Sequence, residues 1–283
     1  MNEQKAPKGI EWTRVWGRDG YTWNPTGGCL HGCTWRMPDG SVTECYAKTV
    51  AERLAVKAYP EGFTHHYWRP EKLNEPRKVK EGAGIFVGSM ADLFGHWVPK
   101  EQIGQVLQVM ADTPQHIYMT LSKNPLRLAE FIFPKNVWVG VSLPAGHLMS
   151  VTGAARALEK YLEAMEQVTA TVRFLSIEPL WFDIDPVLKR WLTHDRLPFE
   201  WAIIGAASKG SRHYWPPAFM VERVVGRLEK AGIPVFFKGN MDNPHWSLPW
   251  RADFPKCEGW DNGHSGNSDE LLAGNQIDCP GRG

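Results

Sequence analysis

From residue 84 onward, short runs that are apolar throughout alternate with longer segments whose apolar residues recur at helical spacing. The short runs are residues 85–88, 116–121, 137–142, 172–177, 201–205 and 234–238. They have strand length, and an unbroken apolar run is what a parallel strand covered on both faces requires. Their starts lie 31, 21, 35, 29 and 33 residues apart, the spacing of βα units. The intervening segments predict helices over 100–113, 124–131, 152–168 and 217–231. Asn124 and Pro125 stand where a helix N-cap and first helical residue belong, and Gly232 with Pro234 closes the last segment. A further helix is expected over 47–57 and a short strand near 21–23. The alternation implies an α/β fold, a partial (β/α) parallel barrel of about six or seven strands, short of the eight of a closed barrel. A doubly wound sheet is the alternative. The barrel is expected over 1–240, with 241–283, rich in Gly, Pro, Trp and Asn, as a closing tail. No GxGxxG or GxxxxGK[ST] motif marks a nucleotide site of the standard kinds.

Ligands of parallel α/β folds meet the C-terminal ends of the strands. The residues at those ends are Gly88, Ser89, Met90 and Asp92, then Ser122 and Lys123, then Ser142. Ser176 and Glu178, then Ser208, then Lys238 and Asn240 stand at or just past the ends of the last three runs. Taken singly, each is explained by the exposure of loops. Repeated along the chain, they predict a polar cavity at one mouth of the barrel. Glu178, in SIEPL, suits a ribose hydroxyl, an amine or a cation; a salt bridge with Lys238 or Lys123 is its other reading. Asp92, in GSMADLF, equally suits capping the turn that follows it.

The chain has 283 residues, 43% of them hydrophobic, which excludes wholesale disorder. With 32 basic and 31 acidic side chains there is no global electrostatic case for nucleic-acid binding, so only a local patch can supply one. No apolar run approaches the ~20 residues of a membrane span. The N-terminal stretch lacks an apolar h-region, so a cytoplasmic protein is expected.

Five cysteines are less ordinary: Cys29, Cys33, Cys45, Cys257 and Cys279. An odd number argues against a disulfide framework. The first three lie in TWNPTGGCLHGCTWRMPDGSVTEC, spaced C-x3-C-x11-C, with Gly27, Gly28 and Gly32 allowing a tight loop. Three soft thiolates can hold zinc or an iron–sulfur cluster. Zinc would need a fourth ligand, for which His31, His96 or Cys257 is available. A 4Fe–4S cluster on three thiolates keeps one iron open for a chelating cofactor. Unligated thiols are the third reading. Cys257 and Cys279 read as ordinary tail thiols, or one of them as a hydrogen-atom donor.

The motifs IEWTRVWGRDGYTWNPTGGC, CYAKTVAERL, IFVGSMADLF, MTLSKNPLRL, NVWVGVSL, RFLSIEPL, WAIIGAAS and PVFFKGN follow one another over roughly residues 10–240. In that order the chain resembles the radical S-adenosylmethionine superfamily, and within its reach a phage- and bacteria-borne family of unknown function. The resemblance implies a 4Fe–4S cluster on Cys29, Cys33 and Cys45, with S-adenosylmethionine chelating the open iron. It implies reductive cleavage to a 5′-deoxyadenosyl radical that takes hydrogen from a substrate. It also implies an electron donor such as flavodoxin or ferredoxin. Gly88, Ser89 and Met90 stand where the methionine amino group is held. By position, Asp92, Ser122, Lys123, Ser142, Ser176 and Glu178 join them as cofactor contacts, and Lys238, Asn240 and Ser208 as substrate contacts. The sequence singles out no catalytic residue.

One departure concerns the cysteines. The superfamily's pattern is C-x3-C-x2-C, and here x11 replaces x2, as though WRMPDGSVTE were an inserted hairpin with Pro38-Asp39-Gly40 as its turn. The loop 58–82, with His65, His66, Tyr67, Trp68 and Arg69, and the tail residues Trp246, Trp250 and Trp260 suit base stacking or plain packing. A base within nucleic acid is therefore one substrate class, and a small molecule or peptide the other. The alternative to an enzyme is a non-catalytic zinc- or cluster-bearing nucleic-acid-binding protein.

Overall fold

The apolar runs become strands. A computed structural model describes residues 1–37, 39–192, 197–209 and 212–256. It divides the chain into two units, Met1–Thr171 and Val172–Gly283. The first contains β1 (Asn2–Gln4), β2 (Gly20–Trp23), β3 (Thr26–Gly27), β4 (Thr34–Arg36), β5 (Val42–Glu44), α1 (Tyr46–Thr49) and β6 (Tyr67–Trp68). It continues with β7 (Gly84–Val87), α2 (Lys100–Ala111), β8 (Ile117–Ser122), α3 (Pro125–Leu128), β9 (Val137–Ser142) and α4 (Val151–Glu166). The second contains β10 (Val172–Ile177), α5 (Asp185–Leu192), β11 (Trp201–Ile204), β12 (Ala207–Lys209), β13 (Arg212–Tyr214), α6 (Ala218–Lys230) and β14 (Val235–Phe237).

In the first unit the strand order is β1-β2-β7-β8-β9. The pairs from β2 to β9 are parallel, and β1 is added antiparallel on β2. In the second unit the order is β10-β11-β14, all parallel. Four parallel strands in one unit and three in the other match the α/β class and the strand count that the apolar runs predict. Every residue of β7, β10 and β11 is buried, which is why these strands carry no polar alternation. The helices supply the cover. α2 buries Ile103, Val106, Leu107 and Met110. In α4, Ser150 Oγ accepts from the Gly153 N–H at 3.0 Å, capping the helix. Below that cap, Ala154, Leu158, Leu162 and Met165 form its inward stripe.

Two predicted helices change. The one over 124–131 shortens to α3, four residues long. Phe131 and Phe133 both turn onto Phe94, at 5.6 and 5.7 Å between ring centroids. Residues two apart cannot share a helix face, so the helix stops before them. The helix over 47–57 is α1 followed by one wide turn, Val50–Leu54. Ala47 and Ala51, one turn apart, bury against Tyr59 and Phe63.

The periodicity did not reveal α5. It holds the buried Asp185, which accepts from Arg227 Nε at 2.7 Å and from Arg223 Nη2 at 3.0 Å, two residues one turn apart on α6. The hydrogen bond from Arg227 holds the Asp185 carboxyl below the usual carboxylate range. A depressed folded-state value contributes stability above the unfolded pKa of ~3.9, lost as pH falls through the folded value. Asp185→Asn is expected to cost on the order of 2 kcal/mol at neutral pH and to flatten the acid limb of a Tm–pH profile. An acid limb as steep as that of the wild type would refute this.

No helix among the described residues is long and apolar enough to cross a membrane.

Candidate functional site

The cysteine loop leaves β3 through Gly28. Its φ is +81°, and a Cβ there would lie 1.7 Å from the His65 carbonyl oxygen, so only glycine fits. The Gly28 N–H donates to Met90 O at 3.0 Å, and the Cys29 N–H to Phe63 O at 2.9 Å. β4 and β5 then form an antiparallel hairpin pairing Thr34 with Glu44. At its base the Cys45 N–H donates to Cys33 O at 3.1 Å. The inserted hairpin is thus present. Asp39 Oδ1 accepts from the Ser41 N–H at 3.0 Å at its tip; Pro38, part of the expected turn, lies outside the described residues. Because a hairpin starts and ends at one place, the long spacer leaves Cys45 beside Cys33. Replacing residues 34–44 with a two-residue spacer is therefore expected to leave the reconstituted iron content unchanged. Loss of iron in that variant would count against the hairpin as a neutral insertion.

The three thiols are free of disulfides and half-buried. Burial pushes the Cys29 thiol up to about 12, against a backbone hydrogen bond from His31 and with Asp92, Cys33 and Cys45 adding to the rise. Burial raises Cys33 too, opposed by Lys123. Cys29 and Cys45, with Met90, pack on the apolar group Ala47, Ala51, Tyr59 and Phe63. Buried thiols become thiolates only beside a cation, and a coordinated metal deprotonates them outright. Among the described residues no three His, Cys, Asp or Glu side chains converge tightly enough to hold a single metal ion. An iron–sulfur cubane takes each thiolate on a separate iron, so neighbouring soft donors on one loop fit it. The residues weighed as a fourth zinc ligand are placed otherwise. His31 Nε2 is hydrogen-bonded to Asp92, and His96 packs edge-on against Trp97 at 4.9 Å. Cys257, like Cys279, lies outside the described residues.

The strand ends of the first unit gather around two side chains. Asn24, directly after β2, shares hydrogen bonds with Ser89 Oγ at 3.0 and 3.2 Å and accepts from the Met90 N–H at 2.9 Å. Gly88 before them has φ +80°. Tyr46 OH donates to Ser89 O at 2.6 Å. Asp92 is buried. Its Oδ2 accepts from His31 Nε2 at 2.7 Å, the Lys123 N–H at 2.9 Å and Ser122 Oγ at 3.0 Å. Its Oδ1 accepts from the Phe94 N–H at 2.9 Å, so the turn-capping role is realised beside the others. Lys123 Nζ donates to Leu143 O at 3.3 Å, and Tyr161 OH to Lys123 O at 3.0 Å. Burial raises the Tyr161 hydroxyl, with Cys33 and Asp92 adding. Ser142 is half-buried at the end of β9.

Asn24, Tyr46 and Tyr161 escaped the sequence reading. Asn24 had a signal, since it follows an apolar strand and precedes Pro25. Tyr161 had none, because in mid-helix it is one more face residue.

In the second unit Ser176 is buried in β10. Glu178 follows β10, Lys238 follows β14, and the two form an ion pair, the salt bridge weighed for Glu178. They meet over Gly205 after the intervening strand β11. A Cβ there would lie 3.0 Å from Glu178 Cγ and 3.1 Å from Lys238 Cδ. Asn240 clasps Ala206, accepting from its N–H at 3.1 Å and donating to its carbonyl at 2.8 Å. Asn240 Nδ2 also reaches Ser208 Oγ at 3.2 Å, and that oxygen bonds His213 Nδ1 at 2.9 Å across the β12–β13 hairpin.

The aromatic loop is packed. The Arg69 guanidinium covers Tyr59 at 4.7 Å and Tyr67 at 5.5 Å, and His65 meets Tyr67 edge-on at 4.9 Å. His66 Nε2 is hydrogen-bonded to Gln102 Oε1 at 2.8 Å. Trp250 stands half-exposed against Phe237 at 6.0 Å, and Trp260 lies outside the described residues.

The sequence pattern of a family described as a protein of unknown function (DUF5131) matches residues 8–248. The chain belongs to this family. The three clustered cysteines and the strand-end residues of this DUF5131 chain, from Asn24 to Asn240, lie inside the matched stretch. No curated protein matches the sequence. Among solved structures, a cysteine-to-serine mutant of spore photoproduct lyase is similar at a TM-score of 0.50 and 12% identity. It covers 84% of this chain and 79% of its own. Spore photoproduct lyase complexed with dinucleoside spore photoproduct is similar at 0.48 and 11%, over 75% of each chain. At such identity the first likeness is one of fold, and a fold alone does not assign the DUF5131 chain an activity.

Proposed function

We propose that this chain is a radical S-adenosylmethionine enzyme. In this reading Cys29, Cys33 and Cys45 hold a 4Fe–4S cluster, and three ligands rather than four keep one iron open for the cofactor. The observation that carries the reading is the hairpin closed by the Cys45 N–H on Cys33 O. It turns an unusual spacing into three neighbouring thiols on a loop entered from a strand end. The fold is that of spore photoproduct lyase, a radical S-adenosylmethionine enzyme, which supports it.

When bound, the cluster and S-adenosylmethionine supply one-electron cleavage of a sulfonium and hydrogen-atom abstraction. The chain's own residues bind and orient. Asn24 fixes the Gly88–Met90 segment, the proposed seat of the methionine amino group, through Ser89 Oγ and the Met90 N–H. Lys123, with its ammonium on the Leu143 carbonyl, is the proposed partner of a carboxylate. Ser142, Ser176 and Glu178 are proposed as further cofactor contacts, and Lys238, Asn240 and Ser208 as substrate contacts. A flavodoxin- or ferredoxin-type protein would bring the electron. For the substrate we propose a base within nucleic acid, with a small molecule or peptide as the other class; at a net charge of only +1, nucleic acid would need a local patch to bind.

The deciding experiment incubates anaerobically reconstituted protein with S-adenosylmethionine and a chemical reductant and assays 5′-deoxyadenosine. Product in step with cluster content is expected. A fully loaded protein giving none above background would sink the reading, and a colourless protein with one zinc would favour a binding protein without redox chemistry.

A further inference from the structure

We propose that Asp92 is a positioning residue that holds the cysteine loop to the end of β8 through His31. This inference rests on the cluster reading above. His31 is the middle residue between Cys29 and Cys33, with Gly28 and Gly32 on either side at φ +81° and +62°. A segment bounded by two such glycines has little stiffness of its own. Its backbone is fixed at the entrance, by Gly28 on Met90 and Cys29 on Phe63, and at the exit, by Cys45 on Cys33. Between those points the His31 side chain ties it to Asp92, 61 residues away, at 2.7 Å.

The anchor itself is rigid. Both Asp92 oxygens are engaged, Oδ1 by Phe94 and Oδ2 by Ser122 and Lys123 as well as His31. Four donors hold the carboxylate, one on Oδ1 and three on Oδ2, so the group cannot turn without breaking a bond. The imidazole also packs against Trp97, the two rings edge-on at 5.0 Å. Gly95 makes room for that indole, since a Cβ there would lie 2.3 Å from Trp97 Cζ2. Partners that orient a ligating segment without touching the metal set affinity by about 10–100-fold, and the Asp92–His31 link has that place for Cys29 and Cys33.

The test compares wild type, His31→Leu and His31→Gln, each reconstituted anaerobically, by the rate at which iron passes to a chelator. Leu and Gln are close to histidine in size, so neither replacement leaves a large cavity, and melting of the iron-free proteins checks the fold. The Leu variant is expected to lose iron about 10–100-fold faster than wild type. The Gln variant, whose amide N–H can donate to the carboxylate, is expected to stay within a few-fold. A folded Leu variant that keeps iron as the wild type does would overturn the proposal. So would a Gln variant as leaky as Leu, because the hydrogen bond to Asp92 would then not be the cause. A folded wild type that takes up no cluster is a separate result and overturns the reading beneath.

Discussion

Replacing Cys29, Cys33 and Cys45 together by alanine is expected to abolish both iron uptake and 5′-deoxyadenosine formation while leaving the fold intact. The three thiols form no disulfide, so their loss opens no covalent loop. They sit half-buried on a surface loop, apart from the fully buried strands β7, β10 and β11 that carry the core. Removing a sulfur from such a site costs roughly 1 kcal/mol or less, within the ordinary range of single substitutions. The chemistry has no such reserve. A cluster with one iron open has three protein ligands, and each single Cys→Ala change is expected to lose most of its iron as well. Visible absorbance, iron content and melting of the iron-free protein separate the two effects. A triple variant that still takes up a coloured cluster would place the ligands elsewhere.

Gly28→Ala should be nearly as damaging, for a conformational reason. An L-residue at φ +81° is strained by roughly 1–2 kcal/mol. The larger effect is steric, because the added Cβ would stand 1.7 Å from His65 O, and the backbone has to move. The hydrogen bonds of Gly28 to Met90 and of Cys29 to Phe63 flank that point and are worth about 1 kcal/mol each. Their loss with the strain amounts to on the order of 3–4 kcal/mol. The change falls on the loop that carries Cys29, so a lower melting temperature and poor iron uptake are expected together. Gly32→Ala is the control. Gly32 also has a positive φ, +62°, but nothing lies within 4 Å of its Cβ position, so only the strain is felt. If Gly28→Ala melts and loads iron as Gly32→Ala does, the close approach to His65 is not what shapes the loop.

Much of the fold could be read from residue order. Unbroken apolar runs became β7 to β11 and β14 because parallel strands are covered on both faces. The pattern was weakest where elements are short. The β12–β13 hairpin has three residues a side, and α5 has eight residues with Pro186 as its second. Neither is long enough to show a period. The helix over 124–131 failed for another reason: Phe131 and Phe133 both answer to Phe94, and a tertiary contact overrode a good local start.

The site divides the same way. Local sequence determined the clustering of Cys29, Cys33 and Cys45, the hairpin between two of them, and the polar strand ends, because spacing and turn chemistry are local properties. Which of those polar groups meet was decided only by the tertiary structure. Asp92 serves both a turn of its own and His31, 61 residues earlier. Glu178 meets Lys238, 60 residues later, and does so because the strand between theirs ends in Gly205. Such partners are set by the order in which strands lie side by side, and a side chain's hydrogen bonds follow from that neighbourhood, which no local period of the sequence encodes.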